Sequence, residues 1–286
     1  MPQDLHLQLI ELLQQFELFY KIPNEDTLLL PSLLPETCVN LQTVWPTHEP
    51  NSCEFTRYYV CHFILAGFFS RLLVRLCHDF RYLRCWLHGI VIEDDSALSL
   101  VQINVKEKRI SVSVRSRTFG VYPIKFFTKL TELIEAMIQY EFKMQLSTEF
   151  PCNLCLAKLS SKPHIFTADD IQLALEKDSL LECEELGESL KMHRVPVFNV
   201  APDYVLSDID ENQIDLNSIE LGLSIGEGAF ADVYKATYRG DTVAVKILKS
   251  REIESERFIL NEFRHEIRAM RLIYFPLIDN QWAKAS

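Results

Sequence analysis

The sequence predicts an α+β fold, because two hydrophobic periods occur in separate segments. Apolar and polar residues alternate over Arg109–Val114, a period of two that is typical of a strand with one buried face. From Pro123 to about residue 145 apolar residues recur every three or four positions, as on the buried side of a helix. Residues 219–247 contain two glycine turns between β-branched runs, which predicts more antiparallel strands. Antiparallel sheets covered by helices have α+β architecture.

Length and composition are those of a globular protein with two domains. Of the 286 residues, 48% are apolar and 24% are charged. The net charge of −11 is concentrated in residues 182–232, which contain twelve acidic residues beside Lys191 and Arg194. This acidic segment disfavours nucleic acid as a partner, and a solvated linker explains it more simply.

No segment is expected to cross a membrane. The most apolar run, Tyr58–Phe69, contains His62 and is shorter than the roughly 20 residues that a spanning helix needs. The N-terminus lacks the basic region of a secretory signal and carries Asp4. We therefore expect a cytoplasmic protein in which the eight cysteines are reduced.

The first fifty residues predict a helix, a strand and a loop. Leucine and phenylalanine recur at helical spacing over residues 4–20. Leu28–Pro35 is predicted to be a short strand that two prolines bring to an end. Residues 36–53 contain further prolines and are predicted to be a connecting loop.

The next hundred residues predict a meander covered by helices. Predicted strands are Phe55–Phe63, Cys85–Ile92, Leu98–Val105 and Arg109–Val114. Helices are predicted over Gly67–Leu76, with Phe68, Leu72 and Leu76 facing inward, and from Pro123 to about residue 145. A shorter helix is predicted at Thr167–Lys177, with Thr167 as its N-cap and Asp170 completing a capping box.

Cys152 and Cys155 have the CxxC spacing that allows two thiolates to bind one tetrahedral Zn²⁺ ion. Two further ligands would be needed, and the nearby candidates are His164, Cys183 and His193. None of these forms a second close pair in the sequence, so spacing alone favours unmetallated thiols over zinc. A redox role is disfavoured because no βαβ pattern surrounds the pair.

A hairpin with a glycine-rich turn occupies residues 219–247. The turn, Gly226–Ala231, connects two predicted strands, and a second turn leads into Val243–Ile247. Glycine has no Cβ, so this backbone can lie close over phosphates and donate its N–H groups to them. Lys246 can place a positive charge on the same phosphates. The alternative is a hairpin whose glycines only turn the chain.

These residues resemble the start of a protein kinase domain, with its Gly-rich loop, following valine and third-strand lysine. The resemblance implies ATP as the ligand. The family's third loop glycine is replaced by Ala231, which tightens the loop. By the resemblance, the phosphates would be covered by Gly226 and Gly228 and paired with Lys246, and adenine would pack on Val233 and Ala244. Ile225 is also predicted to belong to the ATP-binding site.

A helix is predicted over Glu254–Leu272, because apolar residues recur at spacings of four, four and three. The kinase resemblance implies that Glu266 on this helix forms an ion pair with Lys246, with Glu262 as the second choice. The alternative for either glutamate is a solvated side chain that pairs with a neighbouring arginine on the same helix.

The kinase resemblance ends after Ile273, and the tail 274–286 shows no kinase-like register. The H-R-D and D-F-G motifs, which supply the catalytic aspartate and hold Mg²⁺, do not occur in the sequence. We therefore expect that this chain alone does not transfer phosphate. No metal ligand is predicted in the hairpin itself.

Segments before the hairpin resemble the COR domain of Roco proteins. LLPSLLP at 29–35 is similar to the end of the winged-helix-like first half of COR. GFFSRLLVR at 67–75, placed after a strand, is similar to the start of the second half. The stretch from Arg194 to Asp208 is similar to the connection between COR and kinase domains.

This order of segments resembles the leucine-rich-repeat serine/threonine kinases of the Roco family, truncated at both ends. The resemblance implies two partners, a Roc GTPase domain and a second COR domain in a dimer. The alternative is a non-catalytic dimerisation or decoy module that binds a Roc GTPase domain. The expected domains are the end of the first COR half (1–50), the second COR half (51–195), an acidic linker (196–218), a partial kinase N-lobe (219–273) and an unrelated tail (274–286).

Overall fold

The fold consists of two units, Met1–Ala201 and Pro202–Ser286. The computed structural model describes residues 12–23, 27–46, 53–95, 97–117, 122–158, 162–184, 192–205, 218–228 and 231–248. All paired strands in these segments are antiparallel, and helices pack on the largest sheet. The predicted α+β class is confirmed.

The N-terminal segment ends its helix earlier than predicted. Residues 12–15 are helical, but Glu17 adopts a left-handed backbone conformation with φ 55°, which ends the helix. The prediction of a helix to residue 20 was therefore wrong, and residues 4–11 lie outside the described residues. The elements that follow are β1 (Tyr20–Lys21), β2 (Leu28–Leu29), a 3₁₀ turn at Pro31–Leu33 and α1 (Leu41–Val44).

A seven-stranded antiparallel sheet forms the core of the first unit. The strand order is β4-β5-β6-β7-β3-β8-β9, so β3 is an interior strand between β7 and β8. The chain reaches β3 first and adds the strands on both of its sides afterwards. The strands are β3 (Glu54–Cys61), β4 (Arg81–Trp86), β5 (Gly89–Glu93), β6 (Ala97–Asn104), β7 (Arg109–Ser116), β8 (Leu146–Pro151) and β9 (Ile165–Thr167).

The segment predicted as one strand, Cys85–Ile92, is a tight hairpin instead. The strands β4 and β5 pair with Trp86 opposite Gly89, so the chain turns at residues 87–88. Gly89 permits this approach, because a Cβ at that position would lie 2.2 Å from the indole ring of Trp86. The sequence pattern did not predict β8 or β9, which extend the sheet beyond β3.

The helices agree with the predicted periodicity and differ at one end. Phe68, Leu72 and Leu76 are fully buried on α2, as predicted. The helix predicted to reach residue 145 instead ends in a π-helical turn at Met137–Glu141. The capping box at Thr167 is confirmed. The helices are α2 (Phe68–Asp79), α3 (Ile124–Ala136), α4 (Asn153–Ala157) and α5 (Ala168–Lys177).

Besides the antiparallel pair β1–β2, two further small sheets occur in the described residues. In the first unit, β10 (Leu181–Glu184) pairs with β11 (Met192–Val195) and precedes a 3₁₀ turn at Val197–Asn199. The second unit contains a three-stranded sheet of β12 (Ile219–Glu227), β13 (Ala231–Tyr238) and β14 (Asp241–Leu248). Among the residues that the structure describes, no helix has the length and apolar character needed to cross a membrane.

Two arginines of α2 join it to segments on either side. Arg71 and Arg75 both bind the carboxylate of Glu17, at 2.9 Å and 2.6 Å, and both bind Glu141. Glu17 follows the helical turn at residues 12–15, and its carboxylate lies against α2. The hydrogen bond from Arg75, and then the charges of Arg75 and Arg71, hold the pKa of Glu141 below its ordinary value.

We expect Glu141→Gln to destabilise the chain by less than about 1 kcal/mol at neutral pH, since these ion pairs are partly exposed. A carboxyl with a lowered pKa contributes stability above its unfolded pKa and loses it as the pH falls through its folded pKa. The difference between wild type and Glu141→Gln in urea unfolding should therefore begin to shrink as the pH falls below about 4.3, the ordinary pKa of glutamate, and vanish only below the lowered folded pKa. Glu132→Gln, an exposed site on α3, serves as the control. Parallel pH profiles for wild type and Glu141→Gln would contradict this account.

Candidate functional site

Three of the predicted ATP-binding residues form one row across the second sheet. Strand register pairs Gly226 on β12 with Val233 on β13, and Val233 with Lys246 on β14. Directly paired residues of antiparallel strands project to the same face. Ala244 lies two residues before Lys246 and therefore shares this face. The register thus brings together a glycine, two small apolar residues and a lysine.

The row lies on the open face of this sheet. On the opposite face, Ala236 and Val245 are buried. Ala244 and Lys246 are exposed, and Val233 is half-buried. An open face with a cation at one end and small apolar side chains beside it can accept a planar ring and a phosphate.

The glycine turn has a close backbone contact at its second glycine. The N–H of Gly228 donates to the carbonyl oxygen of Ala231 at 2.8 Å. A Cβ at Gly228 would lie 2.9 Å from that oxygen, so the contact requires glycine. Ala231 itself lies in β13 opposite Leu248, where alanine is compatible with strand pairing.

Ile225 differs from the row residues. The register between β12 and β13 shifts between Ser224 and Gly226, and Ile225 lies at this irregularity with its side chain 60% exposed. Its place in the ATP-binding site stays a prediction. Glu266 and Glu262, the predicted partners of Lys246, lie outside the described residues, as does the tail 274–286.

A second cluster lies in the first unit, where three buried cysteines converge. The sulfurs of Cys152, Cys155 and Cys183 all lie within 4.8 Å of one another. Those of Cys155 and Cys183 are 3.5 Å apart. Cys152 and Cys155 flank the start of α4, and Cys183 lies on β10, 28 residues after Cys155. The sequence suggested Cys183 only as a nearby candidate, because nothing local predicts this long-range approach.

The cluster has an uneven electrostatic environment. Burial raises the pKa of the Cys152 thiol, whereas hydrogen bonds from the backbone N–H of Cys155, the Cys183 thiol and the N–H of Leu154 act in the opposite direction. Burial also raises the pKa of Cys183, and its two cysteine neighbours raise it further. The thiols of Cys152 and Cys183 therefore resist ionisation unless a cation accompanies them.

The two candidate histidines take different positions near this cluster. His193 on β11 is the direct strand partner of Cys183. Its Nε2 lies 3.5 Å from the Nζ of Lys158, at the end of α4. The ring of His164 instead packs on that of Phe166, with 4.7 Å between the centroids.

Comparison with known proteins adds an independent observation. The family described as the COR-B domain, C-terminal of Roc, matches residues 52–202. The "Probable serine/threonine-protein kinase pats1" of Dictyostelium discoideum is 28% identical over 296 residues, which cover 97% of this chain and 9% of that protein. "Cyclic GMP-binding protein C" of the same organism is 22% identical over 326 residues, covering 96% of this chain and 12% of that protein.

One shorter segment has a higher sequence identity to a relative. The "Probable serine/threonine-protein kinase drkB" of Dictyostelium discoideum is 42% identical over 67 residues, which cover 23% of this chain and 9% of that protein. The chain spans about a tenth of the length of the curated relatives that it matches.

Proposed function

Because the chain belongs to the COR-B family, whose domain lies C-terminal of Roc in Roco proteins, we propose that it is part of a Roco-type serine/threonine protein kinase. Its relatives include probable serine/threonine-protein kinases of Dictyostelium discoideum. In this proposal the first unit is a coupling and dimerisation module. Residues 219–248 are the beginning of the ATP-binding lobe.

The observation that carries the proposal is the row of Gly226, Val233 and Lys246, which follows the COR-B segment in the chain. In the whole protein, Gly226 and Gly228 would cover the phosphates of ATP, and Lys246 would neutralise part of their charge. Val233 and Ala244 would contact the adenine ring. The 67-residue similarity to drkB supports a kinase segment in this chain.

For the chain by itself we propose a non-catalytic role. Its 286 residues contain neither H-R-D nor D-F-G, so Mg²⁺ and the attacking hydroxyl have no residues of these motifs to position them. A second copy of the chain and a Roc GTPase domain are the proposed partners. The specific observation in favour of this second role is that the COR-B match covers the whole seven-stranded sheet.

The test combines sedimentation with a phosphotransfer assay on the purified full chain. We expect a dimer at micromolar concentration, no phosphate incorporation from Mg-ATP into itself or into a generic protein substrate, and no thermal shift with Mg-ATP. Lys246→Met should sediment like wild type, because Lys246 lies outside the first unit.

Two results would overturn this reading. A chain that stays monomeric over the whole concentration range argues against the dimerisation module. Phosphate incorporation that Lys246→Met abolishes would show that the chain is catalytic by itself. Incorporation that is equal in both proteins indicates a contaminating kinase and leaves the non-catalytic role in place.

A further inference from the structure

We propose that Cys152, Cys155, Cys183 and His193 bind one structural Zn²⁺ ion in the first unit. CxxC spacing alone disfavours such a site, because no second close ligand pair is visible in the sequence. The strand pairing of Cys183 with His193 supplies that pair. The resulting ligand set, three cysteines and one histidine, is one that zinc adopts in closed structural sites.

The sulfur positions fit one tetrahedral ion. Zn–S bonds of about 2.3 Å at tetrahedral angles place two sulfurs about 3.8 Å apart. Cys155 and Cys183 have their sulfurs 3.5 Å apart, and all three sulfurs lie within 4.8 Å of one another. Small side-chain rotations are therefore sufficient to bring the three thiolates to one ion.

The backbone around Cys152 already suits a thiolate ligand. The N–H groups of Leu154 and Cys155 donate to its sulfur. The N–H of Cys152 itself donates to the carbonyl oxygen of His164 at 2.8 Å, which ties the start of α4 to the segment before β9. Such N–H donors hold a metal-bound sulfur in place and compensate part of its negative charge.

His193 is the better choice for the fourth ligand. As the strand partner of Cys183 it projects to the same face of the β10–β11 hairpin, and its Nε2 lies beside Lys158 at the end of α4. The ring of His164 packs on Phe166 and interacts with the charge of Asp170. Only the three sulfurs lie within 4.8 Å of one another, so binding would require the His193 imidazole to turn toward them.

A bound metal would add stability to this part of the unit. The β10–β11 hairpin has only two strands, and strand pairing alone stabilises a two-stranded hairpin little. Its residues Leu181, Cys183 and Val195 are buried. A Zn²⁺ ion with three thiolates and a neutral imidazole has a net charge of −1. The Lys158 ammonium, 3.5 Å from the His193 Nε2, would partly balance this charge. An ion held by α4, β10 and β11 would therefore fix the hairpin to the cysteine turn.

The experiment measures metal in the full chain, purified with a reducing agent and without chelators. Zinc content is determined by atomic emission, and Co²⁺ replaces zinc for spectroscopy. The two matched pairs are Cys183→Ser against Cys77→Ser, a buried cysteine on α2, and His193→Ala against His164→Ala. Wild-type spectra and the histidine pair keep the test decisive if Cys183→Ser fails to fold.

We expect about one zinc ion per chain in wild type and in Cys77→Ser, and none retained by Cys183→Ser. The cobalt protein should show the intense visible bands of a tetrahedral site and strong thiolate charge transfer. His193→Ala should weaken binding at least about tenfold, with His164→Ala unchanged. A strong chelator should lower the unfolding midpoint of wild type.

Four results would overturn the proposal. These are a wild-type chain that retains no zinc after incubation with Zn²⁺ and dialysis, an octahedral cobalt spectrum, and equal zinc content in wild type and a folded Cys183→Ser. The fourth is a disulfide between Cys155 and Cys183 in protein kept under nitrogen. Weakening by His164→Ala rather than His193→Ala would overturn the assignment of the fourth ligand.

Discussion

Arg57→Ala is expected to lower the free energy of unfolding of the first unit by about 3–5 kcal/mol. Arg57 lies on the interior strand β3 with its side chain fully buried. Its guanidinium lies over the rings of Phe127 and Phe150, 5.1 Å and 4.5 Å from their centroids. Alanine removes both contacts and leaves a cavity between the sheet and α3.

The exposure of Glu135, the ion-pair partner of Arg57, determines how much stability a milder substitution of Arg57 should cost. Glu135 lies 3.8 Å from the guanidinium, is 31% exposed, and accepts a hydrogen bond from the hydroxyl of Tyr59 at 2.8 Å. Water can therefore solvate its charge when the arginine is absent. Arg57→Met, which fills most of the volume without a charge, should cost less than about 1.5 kcal/mol.

Urea unfolding followed by circular dichroism measures both variants. Arg84→Ala, at an exposed position on β4, is the matched control and should change stability by less than about 0.5 kcal/mol. If Arg57→Ala costs no more than Arg84→Ala, then the buried guanidinium does not stabilise the core. If Arg57→Met costs as much as Arg57→Ala, the charge matters more than the volume.

Gly89→Ala is expected to destabilise the first unit by about 2–3 kcal/mol. The added Cβ would lie 2.2, 2.5 and 2.9 Å from three atoms of the Trp86 ring, closer than any real contact. That ring is buried against Val91 and Leu100 and cannot move without disrupting the cluster. The methyl group is small, so the cost comes from displacing tryptophan.

A double-mutant cycle tests this cause directly. Trp86→Ala alone should cost about 3–5 kcal/mol through the cavity that it leaves. In that background Gly89→Ala should cost little, which gives a coupling energy of about 2 kcal/mol. Additive costs in the cycle, measured by urea unfolding, would mean that the strain at Gly89 lies in the backbone rather than in the indole ring.

The sequence by itself predicted what depends on neighbouring residues. Alternation over Arg109–Val114 predicted a strand, and Thr167 with Asp170 predicted a helix start, because side-chain period and capping act within a few residues. The same holds for the hairpin, since the turns that set its register lie in the sequence. The resemblance to a kinase glycine loop predicts one site for Gly226, Val233 and Lys246, and the strand register aligns these three residues.

Tertiary structure decided what depends on distant residues. The burial of Arg57 follows from its place on an interior strand beneath α3, which the local pattern around β3 does not reveal. The approach of Cys183 to Cys152 and Cys155 likewise depends on how β10 packs against α4. Pairing and packing between segments far apart in sequence leave only weak local signals, because hydrophobic period specifies which face is buried but not its partner.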